Sequence, residues 1–414
     1  MQPYRIKSVE PLPRFSQPTR EKALIEAGYN TFLVPAKYVT IDLISDSGTG
    51  AMTANQWAAM ISAREDFSGQ ESFEKFITAA QDLTGCDHIQ PVHQGRSAES
   101  MLFPLILKQG DIVLANNHFE TTRANIEAMG CKAIDLPSKE PLFLGNIDID
   151  GLQKGIRKWK RVKAVILTLT SNIKGGQPAS LQNIERTRAI TKNHKITLVF
   201  DACRFADNAY FIKENHRLRA SIKLICRRIF DNCDIAYLSN KKDGLVNIGG
   251  FIALRSAKMH DALTSEIIRR EAYPTSGGLA ARDLAAMSLG LADAIDEDFL
   301  HAHISSVRYL ASELKKNDVE VFEPVGGHGV VIMPKQGHYS AFALAARVFI
   351  ESGVRGGVFE RYLRLAVPRR VYTRDHLDYV AESIGRVYAG KLPKLRLVNR
   401  PREFFNFFAR FTPV

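Results

Sequence analysis

Short, almost uninterrupted apolar segments alternate with amphipathic stretches through the first two thirds of this 414-residue chain. The predicted strands lie at residues 38–44, 110–116, 162–170, 196–200, 235–238 and 251–254, the last within an apolar run over 245–254 that contains paired glycines. Strands that are apolar on both faces and are connected through helices, such as that predicted over 181–192, are typical of a parallel sheet covered on both sides. The sequence therefore predicts an α/β fold with a mostly parallel sheet.

Charge, hydropathy and cysteine content bear on whether the protein binds nucleic acid, spans a membrane or is secreted. Lys and Arg exceed Asp and Glu by 12, and much of the excess lies at residues 154–163, 213–228 and after 386. No recognition motif accompanies these segments, so solvated helical faces that attract small anions are favoured over nucleic-acid binding. No apolar run reaches the length of a membrane span, and no signal peptide is evident. Five cysteines without a C-x-x-C pair predict free thiols and a cytoplasmic protein.

Two adjacent lysines follow the predicted strand 235–238, after Ser239 and Asn240. A lysine at the end of a buried strand loses its proton more easily than one in water, so Lys241 or Lys242 is a candidate nucleophilic amine. Such an amine is what a Schiff base to pyridoxal phosphate requires. Most Lys-Lys pairs in loops are simply solvated, so other segments must support this interpretation.

Polar residues follow two further strands. Asp201 comes directly after strand 196–200, with Arg204 three residues later, and a buried carboxylate there would keep a pyridine nitrogen protonated. The alternative is that Asp201 caps a helix. Asn172 follows strand 162–170 and could donate to a ring hydroxyl oxygen, or simply belong to a turn.

Phosphate and ring contacts are predicted at two other places. Gln94, Gly95 and Arg96 open a probable helix, whose backbone amides suit a phosphate group. Phe119, just after strand 110–116, could stack on a flat ring or belong to the core.

A strand near the C-terminus contains Arg364 between apolar neighbours. A guanidinium there suits bidentate binding of a substrate α-carboxylate, and the alternative is a surface arginine on an edge strand. Together, the phosphate turn, aromatic, Asn, Asp, Lys and distal Arg follow the order that a fold-type-I pyridoxal phosphate enzyme needs.

These segments resemble the tryptophanase and tyrosine phenol-lyase family of β-eliminating lyases. The resemblance is carried by residues 41–49 (IDLISDSGT), 93–96 (HQGR), 170–172 (TSN), 175–178 (GGQP), 208–213 (NAYFIK), 241–243 (KKD), 247–250 (NIGG), 324–328 (PVGGH) and 367–373 (VPRRVYT). Near Ala294 the pattern changes to a long polar–apolar helix over 300–315, which predicts a second, smaller domain, so we expect a large cofactor-binding domain over 46–295 and a small α+β domain over 296–414. Residues 1–45 are then an N-terminal arm and part of the small domain.

The resemblance also implies a role for each site residue. Lys242 is the Schiff-base lysine, with Lys241 beside it as a further cofactor-binding residue, and the phosphate-side positions are Gln94, Gly95, Arg96 and Ser239. The positions around the ring are Phe119, Asn172, Asp201 and Arg204, and those for the substrate carboxylate are Arg364 and Ser47. A monovalent cation, usually potassium, would bind Gly48, Glu65 and Asn247. The family forms homotetramers whose sites lie between paired subunits.

The departures from the family lie on the side of the substrate side chain. Phe67 stands where relatives have a tyrosine that is thought to protonate the departing aromatic ring, and a phenylalanine has no proton to give. Glu120 stands where tyrosine phenol-lyase has a threonine. The segment before Arg364 is shortened, so that Phe359 lies closest to the position of an arginine in relatives. Tyr273 and Ser276 also differ from the usual pocket residues.

The sequence thus predicts a pyridoxal phosphate-dependent lyase that acts on an L-amino acid by α-proton abstraction and β-elimination or β-replacement. Tyrosine and tryptophan are not the expected substrates, and Glu120 is expected to meet a polar side chain or to act as an acid or base. Two alternatives stay open: carbon–carbon bond chemistry on an amino-acid side chain, and a non-catalytic protein that binds pyridoxal phosphate.

Overall fold

A computed structural model describes residues 2–172, 174–275, 277–334, 337, 339–359 and 361–414. It divides the chain into two compact units, a small unit (Met1–Asp46 with Ala302–Val414) and a large unit (Ser47–His301). The domain boundaries given above, at 45/46 and 295/296, stay predictions of where separately folding domains begin and end. Ser276, one of the predicted pocket positions, lies outside the described residues.

The strands are numbered in chain order. They are β1 (Ile41–Leu43), β2 (His88–Val92), β3 (Ile112–Ala115), β4 (Lys132–Asp135), β5 (Val162–Thr168), β6 (Thr197–Asp201), β7 (Ile235–Ser239), β8 (Gly250–Leu254), β9 (Gly329–Ile332), β10 (Val354–Phe359), β11 (Tyr362–Ala366), β12 (Leu395–Asn399) and β13 (Arg410–Pro413).

The helices are numbered in the same way, and two short 3₁₀ turns lie at Thr31–Leu33 and Ala36–Tyr38. The helices are α1 (Gln17–Glu26), α2 (Ala54–Ser62), α3 (Glu71–Thr84), α4 (Gly95–Ile106), α5 (Glu120–Ala128), α6 (Ile149–Lys158), α7 (Leu181–Asn193), α8 (Phe205–His216), α9 (Ile222–Phe230), α10 (Ala257–Arg270), α11 (Ala281–Ala294), α12 (Glu297–Lys316), α13 (Ser340–Ser352), α14 (Arg374–Ala389) and α15 (Phe405–Phe408).

The large unit is built on a sheet with the order β2-β8-β7-β6-β5-β3-β4. Pairs β4–β3, β3–β5, β5–β6 and β6–β7 are parallel, and β8 is antiparallel to both of its neighbours. The central strands β6 to β8 are buried along almost their whole length, as expected for strands covered on both faces. The predicted α/β class with a mostly parallel sheet is confirmed.

Some strands differ from the sequence-based expectation, and β4 was not predicted. Edge strand β2 contains Pro91, which has no N–H to donate, and its polar residues hide the apolar pattern. The first predicted strand is only three residues long, because a 3₁₀ turn occupies Ala36–Tyr38. The predicted strand 251–254 corresponds to β8, which begins at Gly250, and the rest of the apolar run forms a turn in which Leu245 and Gly249 adopt positive φ angles of 54° and 121°.

The first turn of helix α4 lies next to the carboxyl end of strand β7. Its apolar side chains Ala98, Met101, Leu102 and Phe103 are buried in one cluster with residues of strands β3, β5, β6, β7 and β8. The three larger side chains each contribute on the order of 1.5–3 kcal/mol by burial. This packing fixes the helix start at Gly95, whose backbone N–H group has no partner within the helix.

The small unit has its own sheet, with the order β1-β10-β11-β9. Strand β1 is parallel to β10, whereas β10–β11 and β11–β9 are antiparallel pairs. One apolar cluster joins this sheet to the small-unit part of α12 and to α13 and α14. Because β11 is an inner strand, the interpretation of Arg364 as a surface arginine on an edge strand is wrong.

Within the described part of the chain, no helix is both long enough and apolar enough to cross a membrane.

Candidate active site

The carboxyl ends of neighbouring strands bring several predicted residues together in the large unit. Asp201 is the last residue of β6 and Ser239 the last residue of β7, and these strands are parallel neighbours. Lys241 and Lys242 follow Ser239 directly, so they lie at the same edge of the sheet. The structure therefore places a carboxylate, a hydroxyl and two amines where α/β sheets usually bind ligands.

Asp201 is buried, and its environment is one of competing effects. Burial raises the pKa of its carboxyl group, while contacts with Cys203 and the positive charges of Lys242 and Arg204 act in the opposite direction. The residue before α8 is Arg204, so Asp201 is not a helix cap and that alternative is wrong. A buried carboxylate of this kind stabilises a cation placed beside it.

Arg204 and Asn172 contact each other near the ends of β6 and β5. The Arg204 Nη1 donates to Asn172 Oδ1 at 3.3 Å, and the Arg204 backbone N–H donates to the Leu169 carbonyl at 3.0 Å. Arg204 is almost fully buried, so its charge is held in one place. Asn172 and Arg204 therefore lie at the same edge of the sheet as Asp201.

The start of α4 lies against the end of β7. A Cβ atom added at Gly95 would lie 3.2 Å from Ser239 Cβ and 3.5 Å from Cys203 Sγ, so only glycine allows this approach without displacement. Gln94 precedes Gly95 in an extended conformation. The start of α4 and Ser239 thus lie side by side, and the N-terminus of a helix is a favourable place for an anion.

Three positively charged side chains, those of Lys241, Lys242 and Arg96, lie close together near the start of α4. Burial lowers the pKa of Lys241, and the nearby positive charges of Lys242 and Arg96 lower it further. Cations that depress one another's proton affinity are stabilised by an anion, and the first turn of α4 adds its own N–H groups. A phosphate group fits these residues, as a pyridinium nitrogen fits Asp201, so the donor set matches pyridoxal phosphate.

Phe119 and Glu120 stand at the start of α5. Phe119 is the residue before the helix, Glu120 is its first residue, and both are partly buried. Burial raises the pKa of the Glu120 carboxyl, and the positive charge of Arg96 opposes this increase. Glu120 therefore lies within the electrostatic reach of the predicted phosphate side.

Phe67 and Tyr273 form an aromatic pair on the surface of the large unit. Their ring centroids lie 5.3 Å apart with an interplanar angle of 34°. Phe67 is 82% exposed and Tyr273 is 45% exposed. The structure thus brings together two of the predicted pocket residues, and it places them in the open rather than in a closed cavity of the large unit.

Two of the three predicted cation ligands contact each other. The Asn247 Nδ2 donates to the Gly48 carbonyl at 3.1 Å, and the Gly48 N–H donates to the Lys241 carbonyl at 2.6 Å. Ser47 precedes Gly48. The Glu65 carboxylate instead accepts from the backbone N–H groups of Ala281 and Arg282, at 2.7 and 3.3 Å. Glu65 is thus held at the start of α11.

In the small unit, Arg364 and Phe359 are in direct contact. Arg364 is 4% exposed, and its Cζ lies 3.9 Å from the centroid of the Phe359 ring, a cation–π geometry. The Phe359 ring in turn meets Phe32 edge-on at 6.0 Å. The predicted carboxylate-binding arginine is therefore a buried, oriented group.

Sequence reasoning missed several residues of the large-unit site. Cys203 lies between Asp201 and Ser239, and its Sγ accepts the Ser239 N–H at 3.2 Å. Glu99 and Tyr237 are buried beside Asp201. A signal for Glu99 was available, since it lies four residues after Gly95 and hence on the same helical face, next to apolar positions.

Comparison with known proteins agrees with this geometry. Residues 42–383 match the family model described as "Beta-eliminating lyase". The chain is 40% identical over 451 residues to a tryptophanase of Salinibacter ruber, covering 100% of this chain and 95% of that protein. It is 37% identical over 448 residues to a tyrosine phenol-lyase of Clostridium tetani, covering 99% and 97%.

Among solved structures, an aminotransferase from Staphylococcus aureus superposes with a TM-score of 0.64 at 17% sequence identity. The match covers 84% of this chain and 93% of the aminotransferase. At this identity the likeness concerns the fold, which is that of fold-type-I pyridoxal phosphate enzymes. From the family match and the full-length relatives it follows that the chain belongs to the β-eliminating lyase family and is a pyridoxal phosphate-dependent lyase.

Proposed function

We propose that the protein removes the α-proton of an L-amino acid other than tyrosine or tryptophan and then eliminates or replaces a group on the β-carbon. The observation that carries this proposal is the grouping of Lys242, Asp201 and the α4 start at one edge of the sheet.

Pyridoxal phosphate supplies, when bound, an electron sink for charge that develops on the substrate α-carbon. Its phosphate would be held by the first turn of α4, by Ser239 and by Lys241. Asp201 would keep a proton on the ring nitrogen, because a buried carboxylate stabilises an adjacent cation. Asn172 and Arg204 would bind the ring hydroxyl, Phe119 would cover the ring face, and Lys242 would attach the cofactor covalently.

Lys242 is also the proposed base for the α-proton. In its free form, the Lys242 amine would accept a proton from the α-carbon of the substrate. Arg364 is the proposed partner of the substrate carboxylate, since its guanidinium is buried, fixed by Phe359 and suited to bidentate binding. Ser47 is proposed to assist at the carboxylate, and Phe359 at the substrate side chain.

The proton for the leaving group has to come from a residue other than Phe67. Glu120 is favoured, because burial raises the pKa of its carboxyl and so moves this acid towards neutral pH. Tyr273 is a second candidate, since its phenol lies in the aromatic pair with Phe67. An acid of the Glu120 type suits a polar leaving group better than a phenol or indole ring.

The proposal is tested by adding a panel of L-amino acids to the purified protein with pyridoxal phosphate. We expect release of a keto acid and ammonia from one or a few polar amino acids, or a replacement product when a nucleophile is added. An amino acid that is enlarged without loss of its β-substituent and without released ammonia would instead indicate carbon–carbon bond formation. Efficient turnover of tyrosine or tryptophan would contradict the substrate assignment.

We further infer a homo-oligomer, in keeping with the family. On one face of α2, Trp57 is 50% exposed and Ile61 is 86% exposed. Exposed apolar side chains of this size are typical of an interface with another chain. Light scattering of the purified protein tests this inference, and a monomer at micromolar concentration would contradict it.

A bound potassium ion and a cytoplasmic location are also proposals. Gly48 and Asn247 contact each other, and Gly48 also contacts Lys241. An ion bound there would therefore help to position the segment that contains Lys241 and Lys242. Comparing activity in potassium and sodium salts of equal ionic strength tests the ion. Equal activity in both salts would contradict it.

A further inference from the structure

Glu99 is a buried acid that the proposed mechanism does not use. It lies on α4, one turn after Gly95, and is 3% exposed. A buried carboxyl group is costly unless it is hydrogen-bonded or protonated. Its surroundings therefore decide both how it is held and which charge it carries.

The Glu99 carboxyl joins two helices of the cofactor site. Thr122 Oγ1 donates to Glu99 Oε1 at 2.5 Å, and Asn125 Nδ2 donates to Glu99 Oε2 at 2.8 Å. Both donors lie on α5, the helix that begins at Glu120 and follows Phe119. Through Glu99, the helix that presents Gly95 is thus fastened to the helix that presents Phe119.

The titratable groups that face Glu99 lie on the sheet. Asp201 on β6 and the fully buried Tyr237 on β7 act on it, while α5 presents the neutral Thr122 and Asn125. Burial raises the pKa of Glu99 to about 7, and the negative charge of Asp201 adds to this increase. Burial likewise raises the pKa of Asp201 and Tyr237. Two negative charges in such surroundings are unfavourable.

We propose that Glu99 is a positioning residue that fastens α5 to α4 and shares a single negative charge with Asp201. The inference rests on the proposed function, because Asp201 is the group expected to meet the ring nitrogen. With Glu99 neutral, Asp201 carries the charge of the pair. When Glu99 loses its proton, the added charge favours protonation of Asp201 and changes how the site binds a cationic ring.

The raised pKa of Glu99 determines how its contribution to protein stability depends on pH. A carboxyl whose pKa is raised on folding binds its proton more tightly in the folded protein than in the unfolded chain. Its contribution to stability is therefore complete below about pH 4.5 and is lost as the pH rises to about 7. This window lies apart from that of carboxyls whose pKa is lowered on folding.

The experiment compares wild type, Glu99→Gln and Glu127→Gln as full-length proteins. Glu127 is a control on α5, the helix that carries the two donors to Glu99, and it pairs with Arg123 near the surface. The unfolding midpoint of the cofactor-free protein and the dissociation constant of pyridoxal phosphate, followed by absorbance, are measured between pH 5 and 8. We expect Glu99→Gln to flatten the fall in unfolding midpoint and to remove a step of about tenfold in the dissociation constant near pH 7.

Glu127→Gln is expected to follow the wild type in both measurements. A Glu99→Gln profile identical to wild type would overturn the proposal. Thr122→Val gives a second test if Glu99→Gln does not fold. Its loss removes a donor that favours the charged form of Glu99, so the step should move to higher pH, and an unchanged step would also overturn the proposal.

The two proposals fail in different ways. A wild-type protein that does not bind pyridoxal phosphate would contradict the proposed function. The unfolding profiles would still report on Glu99, since they are measured without the cofactor.

Discussion

The residues around the predicted cofactor and those around the predicted leaving group differ in how the fold holds them. Asp201 and Arg204 are buried at and just after the end of an inner strand, and the contacts described for Arg204 are with backbone and side-chain groups of the large unit. Phe67 and Tyr273 lie in the open, and Glu120 is only partly buried. A group fixed by strand ends and core packing tolerates little change, whereas loop residues are replaced without disturbing the sheet. Departures from the family are therefore expected on the open side.

Replacing Lys242 should have the largest effect, because covalent attachment and α-proton removal are both assigned to it. We expect Lys242→Ala to lose activity by more than about 10³-fold. Borohydride treatment followed by peptide mass analysis should attach the cofactor to Lys242 in wild type and to no residue in the variant. Attachment at Lys241 instead would show that the wrong lysine has been assigned.

Asp201→Asn should rank next, since an amide cannot hold the ring nitrogen protonated by charge. We expect a loss of about 10³-fold, with the cofactor still attached, because the phosphate-side residues are unchanged. Asp231→Asn is a control of the same chemistry, as the Asp231 side chain lies at the surface after α9 and has no assigned role. A small loss of activity in Asp201→Asn would contradict the view that the residues around the cofactor tolerate less change than those around the leaving group.

Glu120→Gln should reduce turnover of the preferred substrate by about 10²-fold, at the lower end for a general acid. The pKa of Glu120 is raised, so its acid form is lost as pH rises, and activity that depends on it should fall on the alkaline side. The variant should lack this pH dependence in kcat. A change in KM alone, with the profile retained, would indicate that Glu120 only binds the side chain.

Phe67→Tyr should have the smallest effect on the preferred substrate and a gain on others. A phenol restored at this position is expected to increase elimination from tyrosine or its analogues by up to about tenfold. The double variant Phe67→Tyr with Tyr273→Phe shows whether Tyr273 already supplies a proton. If Tyr273→Phe alone lowers turnover more than Glu120→Gln does, the acid is Tyr273.

Much of the cofactor side was predictable from the sequence, because strand ends and their polar followers are local signals. Asp201 and Ser239 could be placed at the sheet edge from the apolar runs that precede them. Strand β2 was missed, since His88, Gln90 and Pro91 break its pattern, and only pairing with β8 makes it a strand. The partners of Glu99 are 23 and 26 residues away on another helix, so helix packing alone could show them.

The small unit is built from the two ends of the chain, and this has a consequence for its folding during synthesis on the ribosome. Its strand β1 is made early, yet its pairing partner β10 begins at Val354, more than three hundred residues later. At about 5–20 residues per second, that interval lasts roughly 15–60 s. During this time Ile41 and Leu43, both fully buried in the finished unit, have no sheet to join. The nascent chain therefore presents an apolar N-terminal segment for most of its synthesis, and a chaperone that binds emerging apolar segments is the expected partner at that stage.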